Sequence, residues 1–357
     1  MSRLVFYHPS PEWNGLARVY LEVGKALAAR GVTVAVACPP TSDVATACGM
    51  LDILPVEDRG AWHSDGVRLG NTLREYGCDA IVVAGDDAHL VAARAVRRAG
   101  RGAVFRRIRT GIATPITLRT RLAVRLAPTW FVHSSVAEAR ASEPRKKLRG
   151  RIVADVAIDP MQFERVIAAP TPIGTSTIAI VTDPESQRAT AAALRTVASM
   201  RSHGHPLRAL LLGTPHDANE LRVHATALGL GDSITLLGDP IDRAPLLAAA
   251  DLVWVTADHD DGGIAVLDAM ALGCAVVATR GTMAERYVRN GETGIIAERD
   301  DALASAALFT LLQSDQALLA QIGAAAQADV RARRGLSAVC EAYMAVLTDA
   351  AVAQVAA

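Results

Sequence analysis

The sequence predicts an α/β chain built from two doubly wound halves. Three observations carry this prediction: a length of 357 residues, a hydrophobic content of 51%, and short apolar runs that alternate with amphipathic stretches from end to end. The length suits two domains, and the composition is sufficient to bury two cores. Alternation of this kind predicts right-handed β-α-β units around parallel sheets.

The apolar runs place the buried strands of each half. The first half has strands at Leu4–Tyr7, Val32–Ala37, Ala80–Ala84, Ala103–Phe105 and Trp130–His133. Two prolines and a glycine then predict a linker within residues 169–174. The second half has strands at Thr177–Thr182, Ala209–Leu212, Ile234–Leu237, Leu252–Val255 and Ala275–Thr279. We therefore expect domains over residues 1–165 and 172–335.

The end of the chain predicts a long helix over residues 337–357. Ser337 is a suitable cap, and apolar side chains recur at helical spacing at Val339, Ala342, Tyr343, Val346 and Leu347. In a two-domain chain such a helix is able to return to the first domain, and we expect it to do so.

Charge and cysteine content narrow the class of protein. The 37 basic and 37 acidic side chains balance, which argues against a dedicated nucleic-acid binder. Residues 89–151 nevertheless hold 16 Lys and Arg against only Glu138 and Glu143. This basic stretch indicates either an anionic partner, such as an acidic membrane surface or a lipid phosphate, or solvated helix faces. Five cysteines without a C-x-x-C pair favour a reducing compartment and no zinc site.

The N-terminus reads as a strand and not as a signal peptide, and no apolar run reaches the ~20 residues of a membrane span. We therefore expect a cytoplasmic protein, with peripheral contact at the inner face of the membrane as an open alternative.

Residues 258–271 are the most informative segment. Acidic residues follow a strand, Gly262 and Gly263 come next, and an apolar helix pattern then contains Asp268. Glycines at such a turn allow close approach of a phosphate, and the N–H groups that open a helix favour negative charge. Asp260 is expected in the loop before the helix, eight residues from Asp268. A loop acid and a helix-face charge remain the simpler alternative for this pair.

This segment resembles the signature of glycosyltransferase family 4, the retaining GT-B glycosyltransferases, whose two glutamates stand eight residues apart. Here they are Asp260 and Asp268, the latter within Asp-Ala-Met-Ala. The resemblance continues through Gly281–Glu285 and Asn290–Ile296 and is weaker over the rest of the chain. It implies a GT-B fold, in which two Rossmann-like domains face each other across a cleft, and metal-independent transfer from a nucleotide-sugar donor, with no cofactor.

The resemblance also implies roles for individual residues. Asp260 would contact the sugar and Arg188 the diphosphate. The remaining donor-binding residues would be Gly15, Gly213, Leu237, Gly262, Gly263, Ile264, Ala265 and Asp268. The acceptor would be a carbohydrate or a lipid-linked molecule bound to the N-terminal domain.

Other residues have two interpretations each. Arg106, Arg107 and Arg109 follow a strand and either meet an anionic acceptor or phosphate or form a solvated edge strand. Trp13 stands beside a glycine loop, where it is suited to stack on an acceptor sugar. His8 is a weaker candidate for the edge of the first domain's cleft.

The chain departs from the family pattern at three acidic positions. Asp183 stands where the family carries an arginine that binds phosphate, and Asp260 and Asp268 replace longer glutamates. These departures leave open a GT-B protein that has lost catalysis and acts as a binding or scaffold subunit. An epimerase of the same fold is a more distant alternative.

Overall fold

A computed structural model describes residues 2–57, 60–108, 117–141, 150–172, 174–213, 218–298 and 316–355. The chain forms two compact units. Unit 1 comprises Met1–Ala157 and Leu336–Ala357, and unit 2 comprises Ile158–Gly335. The proline-rich stretch at 169–174 belongs to unit 2, where the Ala169 N–H donates to the Pro245 carbonyl at 2.9 Å.

Unit 1 alternates strands and helices along the chain. Its elements are β1 (Arg3–Tyr7), α1 (Gly15–Ala28), β2 (Thr33–Cys38), α2 (Asp43–Ala47), β3 (Asp52–Pro55), α3 (Trp62–Tyr76), β4 (Ala80–Ala84), α4 (Asp86–Ala99), β5 (Ala103–Arg107), α5 (Leu118–Leu126), β6 (Thr129–His133), α6 (Val136–Ala141) and β7 (Gly150–Val153). The seven described strands pair in parallel in the order β3-β2-β1-β4-β5-β6-β7.

Unit 2 repeats the plan. Its elements are β8 (Ser176–Val181), α7 (Gln187–Ser202), β9 (Leu207–Leu212), α8 (Ala218–Ala227), β10 (Ile234–Leu236), α9 (Ala244–Ala248), β11 (Leu252–Val255), α10 (His259–Ala271), β12 (Val276–Thr279), β13 (Ile295–Ala297) and α11 (Gln316–Arg333). Short 3₁₀ turns occupy Pro160–Phe163, Gly231–Ser233 and Met283–Tyr287. The six described strands pair in parallel in the order β10-β9-β8-β11-β12-β13.

The last helix, α12 (Ser337–Val355), packs within unit 1. Its Tyr343 ring lies 6.4 Å from the ring of Phe6 in β1 and 6.2 Å from that of Phe105 in β5. All three side chains are buried, so the helix closes one face of the first sheet. Among the described residues, no helix combines the length and the apolar character that crossing a membrane requires.

The structure confirms the predicted α/β class with two doubly wound sheets. Each of the ten predicted strands is present, within two residues at either end. Sequence analysis missed β3, β7 and β13, which all lie at the edge of a sheet. It also offered a solvated edge strand as one setting for Arg106 and Arg107. That alternative was wrong, because both belong to β5, which is enclosed by β4 and β6.

Candidate functional site

The strand order of unit 2 reverses between β8 and β11, and the carboxyl ends of these strands form the candidate site. From β8 the chain builds outward through β9 and β10, whereas from β11 it builds the other way through β12 and β13. In doubly wound sheets, ligands bind outside the carboxyl ends of the strands at such a reversal. The residues that follow β8 and β11 therefore decide what this edge is able to bind.

Asp183 follows β8 and joins the two strand ends. Its Oδ2 accepts the N–H of Asp258, just beyond β11, at 2.6 Å, and its Oδ1 accepts the N–H of Glu185 at 2.9 Å. The residue is 6% exposed. Burial raises the pKa of the Asp183 carboxyl, although these backbone hydrogen bonds act in the opposite direction. The Asp183 carboxylate thus binds backbone amides of its own sheet edge.

Asp258 extends this connection to the next strand. Its Oδ1 accepts the N–H of Met283, in the turn after β12, at 3.0 Å. Its carbonyl accepts the N–H of Gly262 in α10 at 2.9 Å. The loops after β8, β11 and β12 are therefore linked by two successive carboxylates.

Four buried hydroxyl groups lie next to Asp183. The Thr190 Oγ1 is 2.6 Å from the Thr182 Oγ1 and 3.1 Å from the Thr256 Oγ1, and the Ser186 Oγ is 3.1 Å from the Thr182 Oγ1. The Thr256 hydroxyl also donates to the Val181 carbonyl at 2.9 Å. Because hydroxyl groups both donate and accept, this network satisfies itself without charge and fixes the start of α7 to the ends of β8 and β11.

Arg188 is an exposed cation in the first turn of α7. It lines a cavity of about 470 Å³ together with Asp183, which follows β8, and with residues of α7 and α8 that include Gln187 and His224. Among the described residues it has no ion-pair or hydrogen-bond partner. A cation near a helix N-terminus is electrostatically unfavourable without an anion, so this position suits a ligand that carries negative charge.

The start of α10 differs from the prediction. The helix begins at His259, so Asp260 lies in its first turn and not in the preceding loop. Gly262, Gly263, Ile264 and Ala265 are also inside the helix, and Gly262 already donates to Asp258. The amides that open this helix therefore belong to residues 259–261, four positions before those expected. The side chains of residues 259–261, Asp260 among them, lie outside the described part of the structure.

Gly262 has a packing requirement of its own. A Cβ built at this position would lie 2.1 Å from the Ala257 carbonyl oxygen, which is too short for any side chain without a shift of the backbone. The glycine therefore allows α10 to start directly against the end of β11. The sequence indicated close approach of a phosphate at this turn; the contact observed at Gly262 is with the chain itself.

Asp268 is enclosed by protein. It has no exposed surface, and its Oδ2 accepts the Nε–H of Arg243 at 3.1 Å. Arg243 immediately precedes α9 and is 4% exposed, and its Nη1 lies 3.9 Å from Asp239 Oδ1. In this structure the carboxylate therefore holds the segment between β10 and α9, in contrast to the direct contact with the donor that the resemblance implies.

The ends of β9 and β10 complete this edge of unit 2. Gly213, just after β9, has a φ of 106°, and a Cβ there would lie 1.9 Å from the Thr182 carbonyl oxygen. Its N–H donates to the Gly238 carbonyl at 2.6 Å. Leu237, just after β10, is 38% exposed. Backbone from three neighbouring strands therefore meets here, with an apolar side chain open to solvent.

In unit 1 the strand order reverses between β1 and β4, and His8 lies at that point. Its Nδ1 is 3.0 Å from the Ser10 carbonyl and its Nε2 is 3.3 Å from Asn14 Oδ1, while burial lowers the pKa of the ring. Asn14 also caps α1 by accepting the Ala17 N–H at 3.0 Å. Gly15 is the first residue of that helix, and Trp13, which precedes the cap, is half-buried. Sequence analysis gave His8 little weight because a single histidine carries no spacing signal.

Arg106 is buried and has several protein partners. It forms an ion pair with Asp86, and its Nη1 donates to the Thr120 hydroxyl at 2.6 Å and lies 3.2 Å from His89 Nδ1. Thr117 donates to the second oxygen of Asp86 at 2.7 Å. Burial lowers the pKa of Arg106. The residue thus ties β5 to the starts of α4 and α5.

Arg107 points to a different set of atoms. It is 4% exposed, and its Nη1 donates to the Ala154 carbonyl at 3.1 Å. Arg109, the third arginine of this group, lies outside the described residues. Burial therefore sets both described arginines apart from the exposed Arg188 of unit 2.

Residues 184–329 match the family described as Glycosyl transferases group 1. The lipopolysaccharide core biosynthesis glycosyltransferase LpsE of Rhizobium meliloti (strain 1021) is 27% identical over 139 residues, which is 39% of this chain and 41% of that protein. The D-inositol 3-phosphate glycosyltransferase of Corynebacterium diphtheriae is 28% identical over 193 residues, 52% of this chain and 45% of that protein. The chain thus spans less than half the length of either relative.

Solved structures resemble the chain over nearly its whole length. Anabaena Alr3699/HepE in complex with UDP and glucose has a TM-score of 0.78 at 19% identity, covering 98% of this chain and 100% of that one. WaaG, a glycosyltransferase involved in lipopolysaccharide biosynthesis, has a TM-score of 0.67 at 15% identity, covering 97% and 99%. At these identities the likeness establishes the fold, which is of the GT-B type.

Proposed function

We propose that this chain, which carries a glycosyl transferases group 1 domain over residues 184–329, is a retaining glycosyltransferase. It would transfer a sugar from a nucleoside diphosphate to a hydroxyl acceptor in the synthesis of a glycan, polysaccharide or glycolipid. The observation that carries the proposal is the position of Arg188. This exposed cation lies at the strand reversal of unit 2, inside the matched segment.

The donor diphosphate would bind between Arg188 and the N–H groups that open α10. A guanidinium and the N-terminus of a helix both stabilise the negative charge that develops on a departing diphosphate. Asp260, in the first turn of the same helix, would contact the sugar ring. With these groups supplying the charge, we expect activity to persist in EDTA, in keeping with a reaction that needs no resident metal or cofactor.

We assign Asp268 an indirect role. Because it binds Arg243 and has no exposed surface, it would support the donor site by holding the segment between β10 and α9. Gly213 and Leu237, at the adjoining strand ends, would line the space for the base. This arrangement retains the residues that the sequence singled out but changes what two of them, Gly262 and Asp268, do.

The acceptor would bind to unit 1. Trp13, which lies next to the His8–Asn14 contact and just before the helix that Gly15 begins, is the candidate for contact with an acceptor sugar. The buried ion pair of Arg106 and the buried position of Arg107 make them poor candidates for an anionic acceptor. The basic stretch at 89–151 still supports peripheral contact of a cytoplasmic protein with an anionic membrane. Binding to anionic vesicles that weakens as salt is added would support that contact.

The test begins with UDP-, GDP- and ADP-sugars, of which UDP-glucose comes first because the Anabaena structure contains UDP and glucose. Release of nucleotide, and an α or β product linkage that matches the donor's, would support a retaining transferase. Absence of turnover together with tight nucleotide binding would favour the alternative, a binding or scaffold subunit that has lost catalysis. Absence of both would overturn the proposal.

Arg188→Ala tests the residue that carries the proposal. Loss of a charge-assisted contact to the diphosphate should weaken UDP binding by about tenfold or more, measured by calorimetry. Arg222→Ala is the matched control, because Arg222 is another exposed arginine of unit 2 but lies on α8 and bonds to Asn219. Equal affinities of the two variants would remove Arg188 from the site.

A further inference from the structure

Two carboxylates, Asp183 and Asp258, hold together the loops that would surround a bound donor. Asp183 links the turn after β8 to the loop after β11, through 2.6 Å and 2.9 Å hydrogen bonds to the N–H groups of Asp258 and Glu185. Asp258 links that loop to the turn after β12 through the N–H of Met283 at 3.0 Å. We call this pair the carboxylate clamp.

The chemistry of the clamp requires acceptors at position 183. Both oxygens of Asp183 face backbone N–H groups, and an ionised carboxylate is an acceptor at each oxygen. An arginine has only donors, so the family's usual residue would set donors against donors at this point. Asp183 is therefore matched to its surroundings, which argues against its being the remnant of a lost phosphate contact.

The clamp lies between the two elements that the proposed function uses. Glu185 stands three residues before Arg188, and Asp258 immediately precedes the first turn of α10. Because Asp183 accepts one hydrogen bond from each side, it fixes the distance between the Arg188 cation and the start of α10. The buried hydroxyls of Thr182, Ser186 and Thr190 hold the same turn from beneath.

We propose that Asp183 and Asp258 are positioning residues, which hold Arg188 and the N-terminus of α10 at the spacing that a nucleoside diphosphate requires. This inference rests on the proposed donor site and adds that the site is preorganised by carboxylates that do not touch the ligand. Preorganisation raises affinity because less ordering is needed when the ligand binds.

The direction in which Asp183→Asn changes UDP affinity separates a positioning role from simple repulsion of the diphosphate. If Asp183 only repelled the diphosphate, Asp183→Asn would remove a negative charge and tighten UDP binding. If Asp183 positions the site, the new amide NH₂ must face one backbone N–H that it cannot accept, and UDP binding should weaken by about fivefold or more. Asp183→Glu should recover part of the loss, whereas Asp183→Arg should recover none.

The matched control is Asp251→Asn. Asp251 joins the same two strands at the opposite edge of the sheet, where its Oδ2 accepts the Thr177 N–H at 2.8 Å. Its loss should lower the stability of unit 2 without changing UDP affinity. A clamp that acted only through general stability would make the two asparagine variants alike in UDP binding. That outcome would overturn the positioning role.

Hydrogen exchange without any ligand keeps the clamp testable if no nucleotide binds. The amides of Asp258 and Glu185 should exchange about tenfold faster in Asp183→Asn than in the wild-type chain, while the amides of β9 should be unaffected. If Asp183→Arg does not fold, Asp258→Ala supplies a second variant, in which the Met283 amide should exchange faster. Unchanged exchange at Asp258 in Asp183→Asn, or tighter UDP binding by Asp183→Arg, would overturn the inference.

Failure of the proposed glycosyltransferase function would give a different set of results from failure of the positioning role. In that case the wild-type chain binds none of the tested nucleotides, yet the exchange differences at Asp258 and Glu185 persist. The two claims are therefore separable with the same set of variants.

Discussion

Units 1 and 2 are built alike at the amino edge of their sheets and differently at the carboxyl edge. In unit 1, Asp79 directly precedes β4 and accepts the Arg3 N–H at 2.8 Å. In unit 2, Asp251 directly precedes β11 and accepts the Thr177 N–H at 2.8 Å. Each aspartate thus joins the two strands between which the order reverses, in the same way and at the same distance.

The carboxyl edges of the two sheets differ in how their charged side chains are bound. In unit 2 the carboxylate clamp binds backbone amides and leaves Arg188 exposed. In unit 1, Arg106 of β5 is instead buried in an ion pair with Asp86. The amino edges are therefore alike in both units, whereas the carboxyl edges differ in whether an arginine is exposed or enclosed.

The largest expected effect comes from removing the buried cation of unit 1. Arg106→Ala leaves Asp86 without its ion-pair partner and opens a space among Thr120 and His89, and breaking such a pair should lower the stability of unit 1 by about 3 kcal/mol. Hydrogen exchange of the β4 and β5 amides, compared with those of β8 and β11, measures the change in each unit separately.

The control for this prediction is an exposed ion pair between α4 and α5. Arg119 pairs with Asp87, but their side chains are 60% and 76% exposed. Exposed pairs of this kind contribute about 0–1 kcal/mol, so Arg119→Ala should change little. Equal losses of stability in the two alanine variants would contradict the prediction that burial makes the Arg106–Asp86 pair the stronger one.

The next effect concerns the packing of unit 2. Gly262→Ala must move α10 away from the Ala257 carbonyl, which should cost about 1–3 kcal/mol of stability and weaken UDP binding because the helix start shifts. Gly231→Ala is the control, since a Cβ there would meet nothing within 4 Å. Denaturant unfolding and calorimetric titration with UDP measure the two consequences. Full retention of UDP affinity in Gly262→Ala would separate the helix start from the donor site.

The smallest expected effect is a difference between the two units in how their stability changes as the pH falls. Burial, followed by the charge of Arg106, lowers the pKa of His89 to about 3 from an ordinary 6.5. The unfolded chain therefore takes up a proton at a higher pH than unit 1 does. The contribution of neutral His89 to the stability of unit 1 is complete above pH 6.5 and is lost as the pH falls toward 3. Between pH 7 and pH 5 the loss should be about 1–2 kcal/mol.

Titration of Asp183 changes the stability of unit 2 with pH in the opposite direction. Burial raises the pKa of its carboxyl above the ordinary 3.8, so the folded unit takes up this proton before the unfolded chain does. Its contribution to stability increases as the pH falls toward 3.8, and acid should weaken unit 1 relative to unit 2. Unfolding in urea at pH 7 and pH 5, followed by pulsed hydrogen exchange at a fixed pH, measures this difference. His89→Gln should flatten the response of unit 1; an unchanged slope in that variant would contradict the assignment.

The sequence predicted the interior strands of both sheets and missed three of their four described edge strands. Strands enclosed on both sides are continuous apolar runs, such as Leu252–Val255, and these can be recognised without a structure. The missed strands β3, β7 and β13 lie at sheet edges, where exposed and half-buried positions remove the apolar signal. The error at Arg106 was the opposite one. Two consecutive arginines suggested an exposed edge strand, although β5 is an interior strand.

The segments that the sequence singled out lie at one edge of the second sheet, but several of their contacts differ from those expected. Asp183, Arg188 and the start of α10 all lie at the carboxyl edge where ligands bind in such folds. The start of α10 was placed too late because the glycine pair reads as a turn, although Gly262 serves a helix that packs against Ala257. The Arg243–Asp268 ion pair joins residues 25 positions apart with no motif between them, so only the fold reveals it.

The most direct test of the donor site is hydrogen exchange of the wild-type chain with and without saturating UDP, repeated with GDP and ADP. We predict that one of these nucleotides slows exchange at Glu185–Arg188, at the first turn of α10 and at Gly213, and leaves the amino-edge amides of Thr177 and Asp251 unchanged. Protection confined to other segments, or no protection by any of the three, would contradict a donor site at the carboxyl edge of unit 2.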